Sequence, residues 1–514
     1  MKFAKLTGSE KEFIAETYKR ADNRAGAQEL LAKKFEVATR TIRDWAKRLE
    51  IVVAPEMDRT IIKAKKKKLN SSRYYLFTWA QSKTPIHKGF FNNMKAYADH
   101  LGAEIGVIAG RYKNPTSLFN WKDSDPTWAE EVQPYLTLNR HNVHKYLSII
   151  ADAKIVPTAA TPMSRFEGFE SECSLILGHP RVQMKMVPTL EGYRKKEIFT
   201  TGACTLADYT DSTAGIIGEF HHTLGCVIVE IDGDEFYMRH ITASDDGSFI
   251  DLNTKVDNGS ITKGDYVSIY ACGDKHFGET DEDMELAGRL MIKKFNPEYV
   301  RLDDTFNGHS INPHESKDPV KKFQRVQSGE SILDYELNQL RISLNWYNSQ
   351  PFKIIMPRCN HDIFLDRYIS DQDWKKDVPN ALTYMKCASL LLSGKAPKGL
   401  IPYFVNKWYP NIITLTTDES FRVSQFEQSV HGHRGASGSK GSVVQYKRLS
   451  TKMFTMHTHS PSRYDGVITG GTNTLLRVGY NEGPSGWAHC DIIGHKNGKA
   501  QQLIFHNYKC TTLI

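Results

Sequence analysis

Five short clusters of Asp, His and Asn residues occur in the second half of the chain, each after an apolar run that predicts a β-strand. Oxygen and imidazole groups of this kind are ligands for manganese, iron or zinc rather than for calcium. The clusters, in chain order, are Asp274 with His276; Asp303, Asp304 and Asn307; Asn360, His361 and Asp362; His431 with His433; and His457 with His459. Residues of these types in this pattern predict a metal centre.

The position of the clusters at predicted strand ends indicates the chemistry. Side chains at the carboxyl ends of neighbouring strands in an open sheet converge on one crevice. Aspartates gathered there would repel one another without cations, and one carboxylate can bridge two ions. Two ions about 3.5–4 Å apart are the arrangement that hydrolyses phosphoesters by in-line displacement. A single cluster is usually a surface turn, so the prediction depends on five of them in order within one α/β segment.

The order of the motifs resembles the signature of the calcineurin-like metallophosphoesterases, a family that includes double-strand-break repair nucleases. The resemblance covers residues 263–510, about half of the chain. Three positions where the family usually has glycine differ here, namely Asp303, Cys359 and Met456. The matching motifs are DKH (274–276), DDTFN (303–307), CNHD (359–362), His431 and MHTH (456–459).

The resemblance implies two divalent metal ions, Mn²⁺ first, with Fe²⁺ or Zn²⁺ as alternatives. It also implies that His361 protonates the leaving oxygen, with Asp362 orienting it. His433 is the alternative to His431 as a ligand, and His431 is preferred because it directly follows the apolar run. The implied ligands are Asp274, His276, Asp304 and His459 for the first metal, and Asp304, Asn360, His431 and His457 for the second.

The amino-terminal segment predicts a helix-turn-helix. Helices are expected over 9–21, 27–35 and 39–51, the last rich in Arg and Lys. Glu36 occupies the turn position that usually has glycine, and the alternative is a protein-interaction bundle. The expected core is Leu30, Leu31, Val37, Ile42 and Trp45, and the expected recognition residues are Thr39, Arg40, Thr41 and Arg43.

The positive charge of the chain is concentrated at this end. The net charge is +8, and residues 1–70 hold 18 Lys or Arg against 10 Asp or Glu, so the remainder is balanced. This asymmetry predicts a polyanionic partner, most simply DNA, and a solvated basic tail is the alternative. The expected phosphate contacts in the linker are Lys65, Lys66, Lys67 and Lys68.

The residues between these regions are predicted to serve as a scaffold, an oligomer contact or a substrate track. Strands are expected over 74–81 and 104–112, and helices over 90–101 and around 142–152. Residues 166–262 are expected to be rich in β-structure, with an Asp-Gly hairpin within 225–241. The fold class is α/β, with the domains 1–52 (helix-turn-helix), 53–72 (basic linker), 73–165 (α/β), 166–262 (β-rich) and 263–514 (metallophosphoesterase β-sandwich flanked by helices).

The composition excludes several classes of protein. No run of about 18 apolar residues predicts a membrane span, and the first residues do not resemble a secretory signal. The eight cysteines form no C-x-x-C pair, which indicates reduced thiols and a cytoplasmic location.

Together these patterns predict a two-metal-dependent DNA nuclease. A helix-turn-helix followed by such a phosphoesterase also resembles the early DNA-transfer and host-DNA-degrading proteins of large tailed phages. That resemblance implies a phage-encoded enzyme acting on host DNA in the cytoplasm of an infected bacterium. The alternatives are a phosphatase or phosphodiesterase with a non-DNA substrate, and a DNA-binding assembly or regulatory protein. The sequence leaves open a homo-oligomer, the polarity of cleavage, and exonuclease against endonuclease action.

Overall fold

The chain forms mixed α/β structure in two compact units. The computed structural model describes residues 3–20, 30–49, 69, 71–112, 127–170, 172–315, 318–449, 451–478 and 481–514. One unit contains 1–68 and 112–127, and the other contains 69–111 and 128–514. No helix in these described segments has the length and apolar character needed to cross a bilayer.

Three α-helices are described in the smaller unit, at the places that the sequence predicts. Their use in binding DNA stays a prediction, and the expected linker residues Lys65 to Lys68 lie outside the described residues. The helices are α1 (Gly8–Arg20), α2 (described over 30–34) and α3 (Thr39–Arg48).

The core of this unit is small and mostly as expected. Leu31, Ile42 and Trp45 are buried together. Leu30, which was predicted to join them, is instead 57% exposed. Glu36 has a φ of +47°, so the turn before α3 has the left-handed backbone for which glycine is the usual residue.

The larger unit contains twenty-four strands and nine α-helices among its described residues. The first strands are β1 (Tyr74–Gln81), β2 (Glu104–Gly110), β3 (Leu136–Thr137), β4 (His141–His144), β5 (Leu147–Ile150), β6 (Ser174–Leu177), β7 (Gln183–Val187), β8 (Lys196–Thr200), β9 (Gly225–Asp232), β10 (Glu235–Thr242), β11 (Phe249–Asp251), β12 (Thr254–Asp257) and β13 (Ser260–Lys263). The others are β14 (Val267–Ala271), β15 (Tyr299–Arg301), β16 (Lys353–Pro357), β17 (Ile413–Leu415), β18 (Arg422–Val423), β19 (Phe426–Glu427), β20 (Met453–Thr455), β21 (Ser462–Tyr464), β22 (Val467–Thr469), β23 (Cys490–His495) and β24 (Ala500–Ile504). The helices are α4 (Lys88–Leu101), α5 (Thr213–Phe220), α6 (Glu282–Phe295), α7 (Pro319–Ser328), α8 (Leu333–Asn348), α9 (Asp362–Asp371), α10 (Ala381–Leu392), α11 (Leu400–Trp408) and α12 (Val443–Tyr446).

A six-stranded sheet and a ten-stranded sheet pack against each other in this unit. The six-stranded order is β17-β16-β15-β14-β23-β24, in which β14 to β17 are parallel. Its inner face meets the ten-stranded sheet through an apolar cluster that includes Ile269, Ile355 and Phe454. Helices α6 and α8 to α11 cover its other face through a larger cluster that includes Tyr270 and Met356.

The ten-stranded sheet joins distant parts of the chain. Its order is β18-β19-β20-β22-β21-β7-β8-β6-β5-β4, and the join is the antiparallel pair β21–β7, where Arg463 faces Met184. This pairing crosses the boundary predicted between residues 262 and 263. The same sheet contains strands from both sides of that boundary, and pairing between distant segments leaves no local sequence pattern.

The remaining sheets have five strands (β10-β9-β1-β2-β3) and three strands (β11-β12-β13). The predicted strands near 74–81 and 104–112, the helix near 90–101 and the Asp-Gly hairpin are confirmed. The helix expected around 142–152 is wrong, since β4 and β5 occupy this segment. All four residues of β5 are buried, and a short apolar run of this kind does not distinguish a strand from a buried helix.

Candidate metal centre

The five clusters follow strands of the two packed sheets, as the sequence predicts. The parallel strands β14, β15 and β16 end three residues before Asp274, Asp304 and Asn360, respectively. Strands β19 and β20 are followed by His431 and His457. The carboxyl ends of these strands deliver their side chains to one buried cleft.

One group of candidate ligands consists of Asp274, His276 and His459, whose ligand atoms lie within 4.8 Å of one another. The Nε2 atom of His459 lies 3.0 Å from Asp274 Oδ2 and 3.3 Å from His276 Nε2. All three residues are buried. Three ligand atoms therefore point at the same small volume.

A second group consists of Asp304, His431 and His457, again within 4.8 Å. Asn360 adjoins it, because its Oδ1 atom lies 3.0 Å from His431 Nε2. The amide of His457 donates to Asp274 Oδ2 at 2.8 Å, which ties this group to the first one. The six residues of these two groups, together with Asn360, are the seven that the family resemblance implies as ligands.

The Asp304 carboxylate lies between the two groups. Its Oδ2 atom is 3.1 Å from His431 Nε2 and 3.7 Å from His276 Nε2. Although burial opposes ionisation, the charges of His431 and His361 hold the pKa of Asp304 well below its usual value. Asp304 therefore offers an ionised carboxylate oxygen to both groups of candidate ligands.

The residues present fit divalent cations. Asp274 Oδ1, His276 Nδ1 and His459 Nδ1 are buried and have no hydrogen-bond partner among the described residues. Burial lowers the pKa of His457 to about 4, with the charge of His431 adding to the effect. A neutral imidazole at His457 and an ionised carboxylate at Asp304 are the protonation states that metal binding requires. Burial opposes protonation of His431, but the neighbouring acidic groups Cys359, Asp304 and Asp274 raise its pKa well above its usual value, so a metal bound there would displace a proton.

His431 is oriented by Asp303, a contact that sequence reasoning missed. The Nδ1 atom of His431 donates to Asp303 Oδ1 at 2.9 Å, which leaves Nε2 directed at Asp304 and Asn360. A histidine held by a carboxylate at one nitrogen, with the other free for a metal, is a common feature of metal sites. Asp303 stands where the family usually has glycine, so the departure from the motif contributes to the site.

Arg301 holds Asp303 in place. Its guanidinium is completely buried and donates to both carboxylate oxygens of Asp303, at 2.7 and 2.8 Å. It also donates to the backbone carbonyls of Val430 and Phe454, close to His431 and His457. One side chain therefore fixes three of the segments that carry candidate ligands. The alternation of Arg301 and Asp303 along a strand end was the signal available in the sequence.

His433 lies beside the centre and outside both ligand groups. Its ring centroid is 5.5 Å from that of His431 and 6.1 Å from that of His457. Burial and the charge of His431 lower the pKa of His433 to about 3, and both of its ring nitrogens lack a described partner. The geometry favours His431 as the ligand.

We expect His431→Ala to lose bound manganese and His433→Ala to retain it. The reason is that only His431 contacts Asp304 and Asn360 directly. Metal content of the two purified variants, measured by mass spectrometry after dialysis, makes the comparison. Equal retention in both variants, or loss in His433→Ala alone, would reverse the assignment.

His361 adjoins the first ligand group, and its ring centroid lies 4.5 Å from that of His276. Its Nδ1 atom lies 2.5 Å from the carbonyl oxygen of Asn307, which leaves Nε2 for other contacts. Asp362, which was expected to orient His361, instead accepts from the amide of Cys359 at 3.0 Å. The expectation for Asp362 is corrected because its carboxylate turns back to cap that amide, and burial raises its pKa to about 7.

Four candidate ligands have left-handed backbone. The φ angles are +39° at His276, +41° at Asp304, +73° at His457 and +55° at His459. Such conformations cost about 1–3 kcal/mol each and concentrate at functional sites. Their presence at these positions supports a site maintained for its chemistry.

The ring of Trp487 covers His459, with centroids 4.1 Å apart. No sequence spacing pointed to this residue. On the smaller unit, Arg40 is exposed on α3 and Thr41 is partly buried, while the side chain of Arg43 lies outside the described residues. The structure places these residues without testing an interaction with DNA.

Comparison with known proteins gives one informative similarity. The chain is 29% identical to Protein A1 of Escherichia phage T5 over 465 residues, which covers 86% of this chain and 83% of that protein. No family model matches the chain. No solved structure matches it either. The chain is therefore similar to a phage protein, and the metallophosphoesterase resemblance stays a prediction.

Proposed function

We propose that the protein is a two-metal-dependent nuclease that hydrolyses DNA phosphodiester bonds. The observation that carries this proposal is the position of the Asp304 carboxylate between two groups of candidate ligands. When bound, two divalent cations polarise a phosphodiester and acidify water, which is the chemistry of two-metal hydrolases. Manganese is the first candidate, with iron and zinc as alternatives.

Side chains of the protein orient the candidate ligands and supply a proton for the leaving oxygen. Asp303 and Arg301 hold His431, and the Asn307 carbonyl holds the Nδ1 atom of His361. The Nε2 atom of His361 is then positioned to give a proton to the leaving oxygen. The Trp487 ring packs against the ring of His459 on one side of the cleft.

DNA is the proposed substrate because of the basic amino-terminal region. The excess positive charge lies within residues 1–70, and such a region attracts a polyanion without reading its sequence. The similarity to a phage protein supports action on host DNA inside an infected bacterium. In this proposal, the smaller unit, including its four consecutive lysines, holds the DNA while the metal centre cleaves it.

A phosphodiesterase with a small substrate is the second candidate. A cavity of about 380 Å³ lies beside the metal centre, and its wall includes Phe364, whose ring is 4.5 Å from that of His361. This volume is in the range of small-ligand sites. The cavity wall carries both signs of charge, including Arg325, Arg367, Asp371 and Asp377.

Incubation with two substrates tests the proposal. The purified protein is given supercoiled plasmid or bis-p-nitrophenyl phosphate, each with manganese and with EDTA. We expect manganese-dependent relaxation or degradation of the plasmid at enzyme concentrations that leave the small diester almost intact. Hydrolysis of the small diester alone would favour the second candidate, and no hydrolysis of either would reject both.

We predict that the four consecutive lysines of the amino-terminal region contribute to DNA binding. We expect replacement of its four consecutive lysines by glutamine to weaken binding to long duplex DNA. The salt slope of binding should fall by about 0.9 for each DNA phosphate that is no longer neutralised. Fluorescence anisotropy at several salt concentrations measures both quantities. The substituted residues are Lys65, Lys66, Lys67 and Lys68.

A matched control removes four exposed lysines of the larger unit and should leave the slope unchanged. An equal slope in the test variant and the wild type would assign the four consecutive lysines to a solvated tail. The control positions are Lys293, Lys386, Lys395 and Lys407.

A further inference from the structure

A second cavity, of about 560 Å³, lies away from the metal centre in the larger unit. It opens beside the turn between β23 and β24 and the residues that precede β20 and β22. Lys452 lines it just before β20, whereas His457 follows the same strand at the metal centre. Five residues of extended chain span about 16 Å, so the two sites lie at opposite ends of one strand.

Positive charge dominates the wall of this cavity. Among the described lining residues, five are Lys or Arg and one, Asp465, carries a carboxylate. Asp465 is already shared, at 3.4 Å by Arg181 and at 3.3 Å by Lys447. The five cations are Lys447, Arg448, Lys452, Arg463 and Lys499.

Two of these cations have no carboxylate within ion-pair distance among the described residues, and one of them, Arg463, is also buried. Neither Arg463 nor Lys499 makes an ion pair with any described residue, and Arg463 is only 7% exposed. The Nη1 atom of Arg463 donates to the Ala500 carbonyl at 3.1 Å, but its buried Nε atom has no hydrogen-bond partner in the described chain. Burial lowers the pKa of Arg463 to about 10, so it remains charged at neutral pH.

A buried cation without a counter-charge is costly unless an anion completes the site. Arg463 and Lys499 line the same cavity. A phosphate group in this cavity would supply the counter-charge that both side chains lack. The wall is therefore suited to a phosphate group.

The mouth of the cavity carries an aromatic ring. Phe220 lines it and is 83% exposed, with an accessible ring face. Nucleobases stack on such rings irrespective of their identity. A phosphate site and a stacking ring in one cavity of small-ligand size together indicate a nucleotide.

We propose that this cavity binds the phosphate monoester of a nucleotide, with the phosphate on Arg463 and Lys499 and the base on Phe220. The ligand is either a free nucleoside monophosphate or the phosphorylated end of a DNA strand, which share this chemistry. The site is distinct from the metal centre and does not depend on the proposed nuclease function.

Calorimetric titration of the full-length protein in EDTA tests the site. We expect dAMP to bind, and deoxyadenosine to bind at least about tenfold more weakly because it lacks the phosphate. Lys499→Met should weaken dAMP binding by about tenfold, since the variant lacks one charged hydrogen bond to the phosphate. Lys386→Met, which removes an exposed lysine on α10, is the matched control and should change nothing.

Additional titrations test each part of the proposal separately. Phe220→Ala should weaken the binding of dAMP and leave the binding of inorganic phosphate unaffected. A 5′-phosphorylated oligonucleotide that binds more tightly than dAMP would identify a DNA end as the ligand. Lack of dAMP binding at about 1 mM, or equal affinity in Lys499→Met and the control, overturns the proposal. Equal affinity for phosphate and dAMP overturns the nucleotide assignment. Metal content should be unchanged in Lys499→Met, so this test can fail while the nuclease proposal stands.

Discussion

Asp304→Asn is expected to lose bound manganese from both ligand groups and to lose DNA cleavage. The Asp304 carboxylate approaches His431 at 3.1 Å and His276 at 3.7 Å, so it is the oxygen ligand available to both sides. A neutral amide keeps the shape of the side chain and removes the charge that would hold two cations together. We expect the rate to fall by more than about 10³-fold, which exceeds the usual loss on removing one electrostatic group.

The measurement is manganese content beside the rate of plasmid cleavage. Asp418→Asn, which alters an exposed carboxylate of the same unit, is the matched control and should retain both. Two bound metals and normal cleavage in Asp304→Asn would disprove the shared-carboxylate arrangement. A thermal melt of each variant separates loss of metal from loss of fold.

His361→Ala is expected to keep its metals and to cleave DNA about 10²–10⁴-fold more slowly, which is the usual contribution of general acid catalysis. The Nδ1 atom of His361 is held by the Asn307 carbonyl, so the ring is fixed beside the first ligand group. Loss of metal in this variant would instead identify His361 as a ligand, because it also lies within 4.8 Å of the ligand atoms of His276 and Asp304.

A matched control exists for this substitution as well. The ring of His314 also contacts Phe364, at 5.8 Å between centroids, and lies outside every described ligand group. His314→Ala should therefore cleave at the wild-type rate. Equal rates in His361→Ala and His314→Ala would remove His361 from the proposed mechanism.

The candidate ligands could be predicted because their signals are local. Each follows a short apolar strand within a few residues, and the parallel strands β14 to β16 bring three clusters to one sheet edge. The sequence also indicated the helices of the smaller unit from their apolar spacing. Prediction succeeded where a contiguous segment determines its own conformation.

The contacts that orient the site could not be predicted in this way. Asp303 and His431 are 128 residues apart, and only the packing of the two sheets brings them together. Asp362 was expected to support His361 because the two residues are adjacent, yet its position at the start of α9 turns the carboxylate toward Cys359. The pairing of β21 with β7 was not predicted either, because the two strands are far apart in the sequence, as Asp303 and His431 are.

The ten-stranded sheet combines strands that are synthesised early with strands that are synthesised late, and this affects how the nascent chain folds. Strands β4 to β8 end at Thr200, and the strands that complete their sheet begin only at Arg422. A ribosome adds roughly 5–20 residues per second, so the early strands wait on the order of tens of seconds for their partners. Pairing across so long an interval makes folding slow and leaves the edge of β7 exposed in the nascent chain. Because His431, His457 and His459 are synthesised last, the metal centre forms only once translation is nearly complete.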